Sequence, residues 1–78
     1  GAEIPLTARE WEVLETLAAR PGRMVSRVEL LELVWHETSG PASESLDVIV
    51  SRLRRKLADA ACTIHTVRGQ GYRFDRTA

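Results

Sequence analysis

The chain has 78 residues, one cysteine and 11 basic against 11 acidic side chains, so it fits a single small domain. One cysteine excludes an internal disulfide or a cysteine-based metal site. The sequence has no apolar run of membrane length and no signal peptide pattern, so we expect a cytoplasmic protein with no membrane contact. The charge is segregated, with four basic and nine acidic residues in 1–47 but seven basic and two acidic residues in 48–78, so we expect the C-terminal half to meet a partner.

The N-terminal part predicts a short edge strand within residues 3–6 and a first helix over residues 8–20. Thr7 and Glu10 have the spacing of a capping box, in which each residue bonds the backbone of the other. The Pro-Gly pair at positions 21 and 22 ends this helix. The side chains predicted to face inward are Trp11, Leu14, Ala18 and, more weakly, Leu17.

A second capping-box pattern, from Ser26 to Glu29, predicts a second helix that runs to about residue 35. Residues 24 and 25 are interpreted as a bridge to it. Residues 36–42 contain a Ser-Gly-Pro sequence, which is typical of a loop. The inward-facing residues predicted for this helix are Val28, Leu31, Val34 and Trp35.

The third helix, predicted from residue 43 or 45 to about residue 57, is amphipathic with a polar and basic exposed side. At 100° per residue its apolar side chains gather on one side. They are Leu46, Ile49, Val50, Leu53 and Leu57. The opposite side carries Val48, Ser51, Arg52 and Arg55, with Glu44 on the same stripe.

Two β-like runs follow, over residues 63–67 and 72–75, joined by the sequence Arg-Gly-Gln-Gly. The two glycines permit the positive φ angles of a tight hairpin. Tyr72 and Phe74 alternate with polar residues and are assigned to the core, as is Trp11. Three helices followed by a hairpin predict an α+β winged helix, a variant of the helix-turn-helix fold.

A basic helix followed closely by a basic hairpin is suited to duplex DNA, because the helix fits the major groove and a hairpin arginine reaches the minor groove. Arg52 is predicted to read guanine, and Arg68 to enter a narrow A·T minor groove. Arg54 and Arg55 either clamp phosphates or solubilise the helix end. Lys56 is interpreted as a solvated flank.

No enzyme and no cofactor are predicted. Glu10 and the other acids of the first helix are placed in exposed turns, where carboxylates meet the helix dipole favourably. Ser26 has no nearby base, and His36 and His65 lack partners at metal-ligand spacing. The glycines near position 70 join two strands, whereas a phosphate-binding loop joins a strand to a helix.

The chain resembles the OmpR/PhoB-type DNA-binding domain of bacterial response regulators in LTAREWEVLETLAARPGRMVSRVELLELVW, SLDVIVSRLRRKL and IHTVRGQGYRF. The resemblance covers residues 6–74 and implies transcription regulation within a two-component phosphorelay. It implies double-stranded DNA as the partner, with residues 44–57 in the major groove and the wing, residues 66–73, at the minor groove. It also implies that the loop 36–43 can contact RNA polymerase and that copies pair head to tail on DNA.

The resemblance implies a role for individual residues. The positions that match base-facing residues are Val48, Ser51 and Arg52. Those that match phosphate or backbone contacts are Arg54, Arg55 and Thr66. Arg68 matches the wing arginine, and Trp35 matches a position near the DNA backbone at the start of the polymerase-facing loop. Ser45 and Gly69 complete the predicted DNA-binding set.

The chain departs from the family pattern in three ways. This sequence lacks the four-stranded sheet that the family carries before the first helix. It also lacks the receiver domain with its phosphoacceptor aspartate. Residues 3–76 are therefore expected to be one domain that is either excised or attached to something other than a standard receiver. Glu44 stands where many relatives carry a polar or basic residue near phosphate, and an acid there weakens binding. The alternative function is a winged helix used for protein–protein contact, or as a regulatory appendage on a larger sensor or enzyme.

Overall fold

The computed structural model describes residues 4–76, which form three helices and a three-stranded antiparallel sheet. The elements are α1 (Ala8–Ala18), β1 (Met24–Ser26), α2 (Arg27–Leu30, continued by a π-helical segment, Leu31–Trp35), α3 (Gly40–Lys56), β2 (Cys62–Val67) and β3 (Gly71–Arg76). The strand order is β1-β3-β2, so the last strand lies in the middle of the sheet. The helices and the C-terminal hairpin confirm the predicted winged-helix fold.

Helix α1 begins at the predicted capping box. The Thr7 hydroxyl accepts a hydrogen bond from the Glu10 amide, and Glu10 Oε1 accepts one from the Thr7 amide at 2.9 Å. Its inner face differs from the prediction, because Val13 and Leu17 are completely buried while Trp11 is 54% exposed. The buried stripe of α1 runs through positions 10, 13 and 17, and Trp11 lies one residue out of phase with it. The assignment of Trp11 to the core is therefore wrong.

Glu10 is completely buried, contrary to the exposed position predicted for it. Its counter-ion is Lys56, whose Nζ donates to Glu10 Oε1 at 2.7 Å and to the Pro5 carbonyl at 2.9 Å. Burial raises the pKa of Glu10, but the bonds from Lys56 and Thr7 outweigh it and hold that pKa below its usual range. Lys56 thus joins α1 to the end of α3 and is not a solvated flank.

The edge strand predicted for residues 3–6 is not observed in residues 4–6, and position 3 lies outside the described residues. Pro5 has no N–H to donate to a strand ladder. Its carbonyl accepts from Lys56 instead of from a neighbouring strand.

Helix α2 begins at Arg27, after Ser26 as its N-cap. Of the two bonds in the predicted capping box, the structure shows the one from the Glu29 amide to the Ser26 hydroxyl, at 3.1 Å. Leu31 and Val34 face the core as predicted, together with Leu30. Val28, predicted to face inward, is 54% exposed. It precedes Leu30 by two residues, about 200° around the helix, and therefore points away from the core.

Strand β1 was not predicted, because residues 24 and 25 were interpreted as a connection between the first two helices. It pairs antiparallel with β3, with Val25 opposite Tyr72 and Ser26 opposite Gly71. A Cβ atom added to Gly71 would lie 2.1 Å from the Val25 carbonyl oxygen. Gly71 therefore permits close approach of two strands, whereas the positive φ of the hairpin turn belongs to Gly69, at 74°.

Helix α3 begins at Gly40, earlier than the predicted start at residue 43 or 45. The Ser39 hydroxyl caps it by accepting from the Ala42 amide, and a proline occupies its first turn. The end of the predicted loop 36–42 therefore belongs to the helix. Its predicted inner stripe is confirmed as buried: Leu46, Ile49, Val50, Leu53 and Leu57. Within residues 4–76 no helix has the length and apolar character that crossing a membrane requires.

Candidate nucleic-acid interface

The side of α3 that faces away from the core is exposed along most of the helix. We call it the outer face of α3, and it consists of Glu44, Ser45, Val48, Ser51, Arg52 and Arg55. Burial of the opposite stripe against α1 and the sheet fixes this orientation, because Leu46 and Leu53 are completely buried. Val48 is 48% exposed and places an apolar side chain amid polar ones.

Two shallow, open depressions run along the outer face of α3. The first is lined by Pro41, Glu44, Ser45, Val48, Ile49 and Arg52. The second is lined by Asp47, Val48, Ser51, Arg52 and Arg55. Both include Val48 and Arg52, so these two side chains lie at the centre of the surface.

The polar side chains of the outer face make no hydrogen bond or ion pair with the rest of the described chain. In the described part of the chain, the hydrogen bonds and ion pairs of α3 side chains involve Ser43, Asp47, Arg54 and Lys56. None of these residues belongs to the outer face. The guanidinium groups of Arg52 and Arg55 therefore keep their donors available for a ligand.

Asp47 is held in a network that joins three elements. Arg27 Nη1, at the start of α2, lies 2.5 Å from Asp47 Oδ1, and the Tyr72 hydroxyl of β3 donates to the same oxygen at 2.7 Å. Arg27 also donates to the Ser43 carbonyl at 3.2 Å. The Arg27 guanidinium holds the pKa of the Asp47 carboxyl below its usual range, with help from Tyr72. Burial and the neighbouring carboxylate raise the pKa of Tyr72.

Arg54 connects α3 to the wing. Its Nε donates to the Ile64 carbonyl at 2.8 Å, and its Nη2 donates to the Thr66 hydroxyl. Its guanidinium also lies 5.9 Å from the centre of the Tyr72 ring. The structure therefore brings Arg54 and Thr66 together, and of the arginine pair predicted for phosphate only Arg55 has a free guanidinium.

The tip of the wing is exposed at Arg68 and Gly69. The Gln70 amide donates to the Val67 carbonyl at 2.9 Å, which closes the turn. The Arg27 amide donates to the Gln70 carbonyl at 3.1 Å, so α2 also supports the base of this turn. Arg68 is thus presented on a turn that is fixed at both of its ends.

Trp35 lies apart from the outer face of α3, at the junction of α1 and α2. It is half-buried, and the Arg9 guanidinium lies 4.9 Å from the centre of its ring. Arg9 also donates to the Val34 carbonyl at 2.6 Å. Trp35 ends α2, and His36 follows in the left-handed conformation, at a φ of 59°.

Arg27, Asp47 and Tyr72 were missed as residues that position the site. A signal was present at Asp47, the one acid between positions 46 and 57, where the other residues are apolar or basic except for one serine. Its partners lie 20 and 25 residues away, so helical spacing could not identify them. Within residues 4–76 no group of three or more His, Cys, Asp and Glu side chains could hold a metal ion.

The chain is similar to known regulatory proteins. The family model described as "Transcriptional regulatory protein, C terminal" matches residues 1–74. The transcriptional regulatory protein AfsQ1 of Streptomyces coelicolor is 42% identical over an alignment of 78 residues. The alignment covers 96% of this chain and 35% of that protein. The chain thus spans about a third of the length of the curated relatives it matches.

Solved structures agree with this match. The Klebsiella pneumoniae RstA DNA-binding domain in complex with RstA box is 36% identical with a TM-score of 0.83, covering 96% of this chain and 77% of that one. The DNA-binding domain of Bacillus subtilis CssR is 32% identical with a TM-score of 0.81, covering 95% and 82%.

Proposed function

This chain belongs to the family of transcriptional regulatory protein C-terminal domains, which are DNA-binding domains and not enzymes, and we propose how its own residues read duplex DNA. The outer face of α3 enters the major groove, and the tip of the wing lies at the adjacent minor groove. The observation that carries this proposal is the division of charged side chains on α3. Asp47, Arg54 and Lys56 are held in contacts within the fold, while Arg52 and Arg55 are exposed and free.

Base reading is assigned to the centre of the outer face. Arg52 has a free guanidinium, whose planar fork matches the O6 and N7 acceptors of guanine. Val48 offers an exposed apolar surface to a thymine methyl group, and the Ser51 hydroxyl can bond to either partner of a base pair. These three side chains line one continuous depression, so they can meet neighbouring base pairs.

Phosphate contacts are assigned to the margins of the outer face. Arg55 lies toward the C-terminal end of α3 with its guanidinium free, and Ser45 lies toward the N-terminal end. Arg54 and Thr66 serve the interface by holding the wing against α3, because each is already bonded to the other. Trp35 lies apart from the outer face, at the end of α2, and is assigned a contact with the DNA backbone. Its ring is held by Arg9.

The wing supplies the minor-groove contact. Arg68 is exposed on a tight turn, and Gly69 beside it adopts the positive φ that this turn requires. A narrow A·T minor groove concentrates negative potential and attracts an inserted arginine. We assign to Arg68 a preference for A·T base pairs beside the major-groove site.

Two further partners belong to the proposal. The loop 36–43 contacts RNA polymerase, and its last residues, from Gly40, form the first turn of α3. Copies of the domain bind head to tail on repeated DNA sites, since a module of this size makes few phosphate contacts alone.

The test is a binding series with duplex DNA selected from a random pool, measured by fluorescence anisotropy at several salt concentrations. We expect affinity to fall steeply with salt, with a logarithmic slope of about 0.9 for each neutralised phosphate. Arg52→Ala should weaken binding to the selected duplex by about 5- to 150-fold and to random DNA much less.

Arg20→Ala is the matched control, because it removes the same charge from the segment just after α1, where Arg20 donates to the Thr16 carbonyl. It should bind the selected duplex as the parent does. Binding that is insensitive to salt would contradict DNA recognition and favour a protein interface. Equal weakening by Arg52→Ala on selected and random DNA would refute its role in base reading.

A further inference from the structure

We propose that Glu44 is a specificity-determining residue that selects cytosine by accepting a hydrogen bond from its N4 amino group in the major groove. This inference rests on the proposed placement of α3 in the major groove. It concerns the one acidic side chain of the outer face, which simple electrostatics would exclude from a DNA-binding surface.

Glu44, Val48 and Arg52 form a single row on the outer face. They are spaced at i, i+4 and i+8, which places them on neighbouring turns of one helix face. The structure confirms this adjacency, because all three line the same shallow depression with Pro41 and Ser45. This row places Glu44 beside the residues assigned to base edges, although many relatives carry a residue near phosphate at this position.

The two acids of α3 differ in their partners. Asp47 is bonded to Arg27 and Tyr72, so its carboxylate is already neutralised within the fold. Glu44 is exposed, and in the described part of the chain no hydrogen bond or ion pair engages its side chain. Its acceptor oxygens are therefore available to a ligand.

The position of Glu44 in α3 is not explained by the helix dipole. Carboxylates stabilise the first turn of a helix, and the effect fades beyond it. The helix begins at Gly40, and its first turn holds no acid, so Glu44 lies beyond the reach of this effect.

The chemistry of base edges identifies cytosine as the partner. Two bases present an amino donor in the major groove, adenine at N6 and cytosine at N4. Adenine places the N7 acceptor beside its donor, and an ionised carboxylate has no proton to offer that acceptor. Cytosine presents its donor without that adjacent lone pair, so a carboxylate favours it.

The geometry also predicts where the cytosine lies. A helix rises about 1.5 Å per residue, so Glu44 and Arg52 are separated by about 12 Å along α3. Base pairs along one strand are about 3.4 Å apart, so the two contacts fall at most about three or four base pairs apart. Val48 lies between them and would meet one of the intervening base pairs.

The experiment compares the parent chain, Glu44→Gln and Glu44→Ala by selection from random duplexes, followed by affinities on four duplexes that differ at the assigned position. The readout is the ratio of affinities among these duplexes, since removing a negative charge raises affinity for every DNA alike. We expect the parent chain to prefer cytosine over adenine by about 5- to 30-fold. Glu44→Gln should prefer adenine, because an amide bonds both N6 and N7, and Glu44→Ala should discriminate little among the four.

Glu12→Gln is the matched control, because it removes an exposed acid from α1 and should retain the cytosine preference. Thermal melts should be alike for all variants, since Glu44 is exposed. If Glu44→Ala keeps the base preference of the parent, or tightens all four duplexes equally, the inference is overturned while Arg52-dependent binding still supports the proposed function. A parent chain that binds no duplex overturns both.

Discussion

Replacing Gly71 with alanine should separate strand β1 from β3 and destabilise the domain. Gly71 is buried and lies opposite Ser26 in the antiparallel pair. An added Cβ would lie 2.1 Å from the Val25 carbonyl oxygen and 2.8 Å from the Ser26 Cα atom. Both neighbours are backbone atoms, so no side-chain rotation can relieve the overlap and the strands must move apart.

The expected loss is large for a domain of this size. Overpacking usually costs about 1–3 kcal/mol, and overlap with backbone places Gly71→Ala near the upper end. Folding free energies of about 0.05–0.15 kcal/mol per residue give this domain about 4–12 kcal/mol in total. Since 1 kcal/mol corresponds to about 4–8 °C in a small domain, the melting temperature should fall by about 12–24 °C.

Two other glycines provide matched controls in the same calorimetric assay. Gly40 has no heavy atom within 4 Å of the added Cβ and lies in the first turn of α3, so Gly40→Ala should be neutral or slightly stabilising. Gly69 has the same free space but a φ of 74°, so Gly69→Ala should lose about 1–2 kcal/mol through backbone strain alone. A Gly71→Ala melt that matches Gly40→Ala would refute the close approach of β1 and β3.

Three further perturbations test the core, the buried ion pair and the wing. Leu53→Ala should lose about 2–5 kcal/mol in urea unfolding, because Leu53 is completely buried; a midpoint close to that of the parent would refute its place in the core. Lys56→Met leaves the buried Glu10 carboxylate without its counter-ion and should lose about 1–3 kcal/mol at neutral pH. The pKa of Glu10 is lowered in the folded parent, so this stabilisation is full above about pH 4.3 and disappears as the pH falls through the folded pKa. The unfolding free energies of the two proteins should therefore converge in acid. A constant difference between them from about pH 7 to about pH 3 would contradict this reasoning. Arg68→Ala should weaken binding most on sites with an A·T flank, and equal weakening on a G·C flank would exclude minor-groove reading.

Local chemistry made the starts of α1 and α2 and the hairpin predictable from sequence, whereas α3 begins earlier than predicted. The Thr7 and Ser26 caps bond to amides three residues away, so their signal lies within one short segment. The inner stripe of α3 was predictable for the same reason, because the spacing of its apolar residues lies within a single helix. That stripe also determined which side of α3 faces solvent, although not which of its charged groups are free.

Long-range contacts were not predictable in this way. Strand β1 has three residues and exists through its pairing with β3, about 47 positions later. The burial of Glu10 depends on Lys56, which is 46 residues away. An acid next to a tryptophan would ordinarily be the exposed member of the pair, and this distant counter-ion reverses their positions at the start of α1.

The most direct test of the central claim is to map amide chemical shifts of the 78-residue chain by NMR as a selected duplex is added. If the outer face of α3 and the wing tip bind DNA, the largest shifts will fall on Val48, Ser51, Arg52, Arg68 and Gly69. The exposed Trp11 side of α1 will change little. Shifts concentrated around Trp11, with α3 and the wing unchanged, would contradict the account.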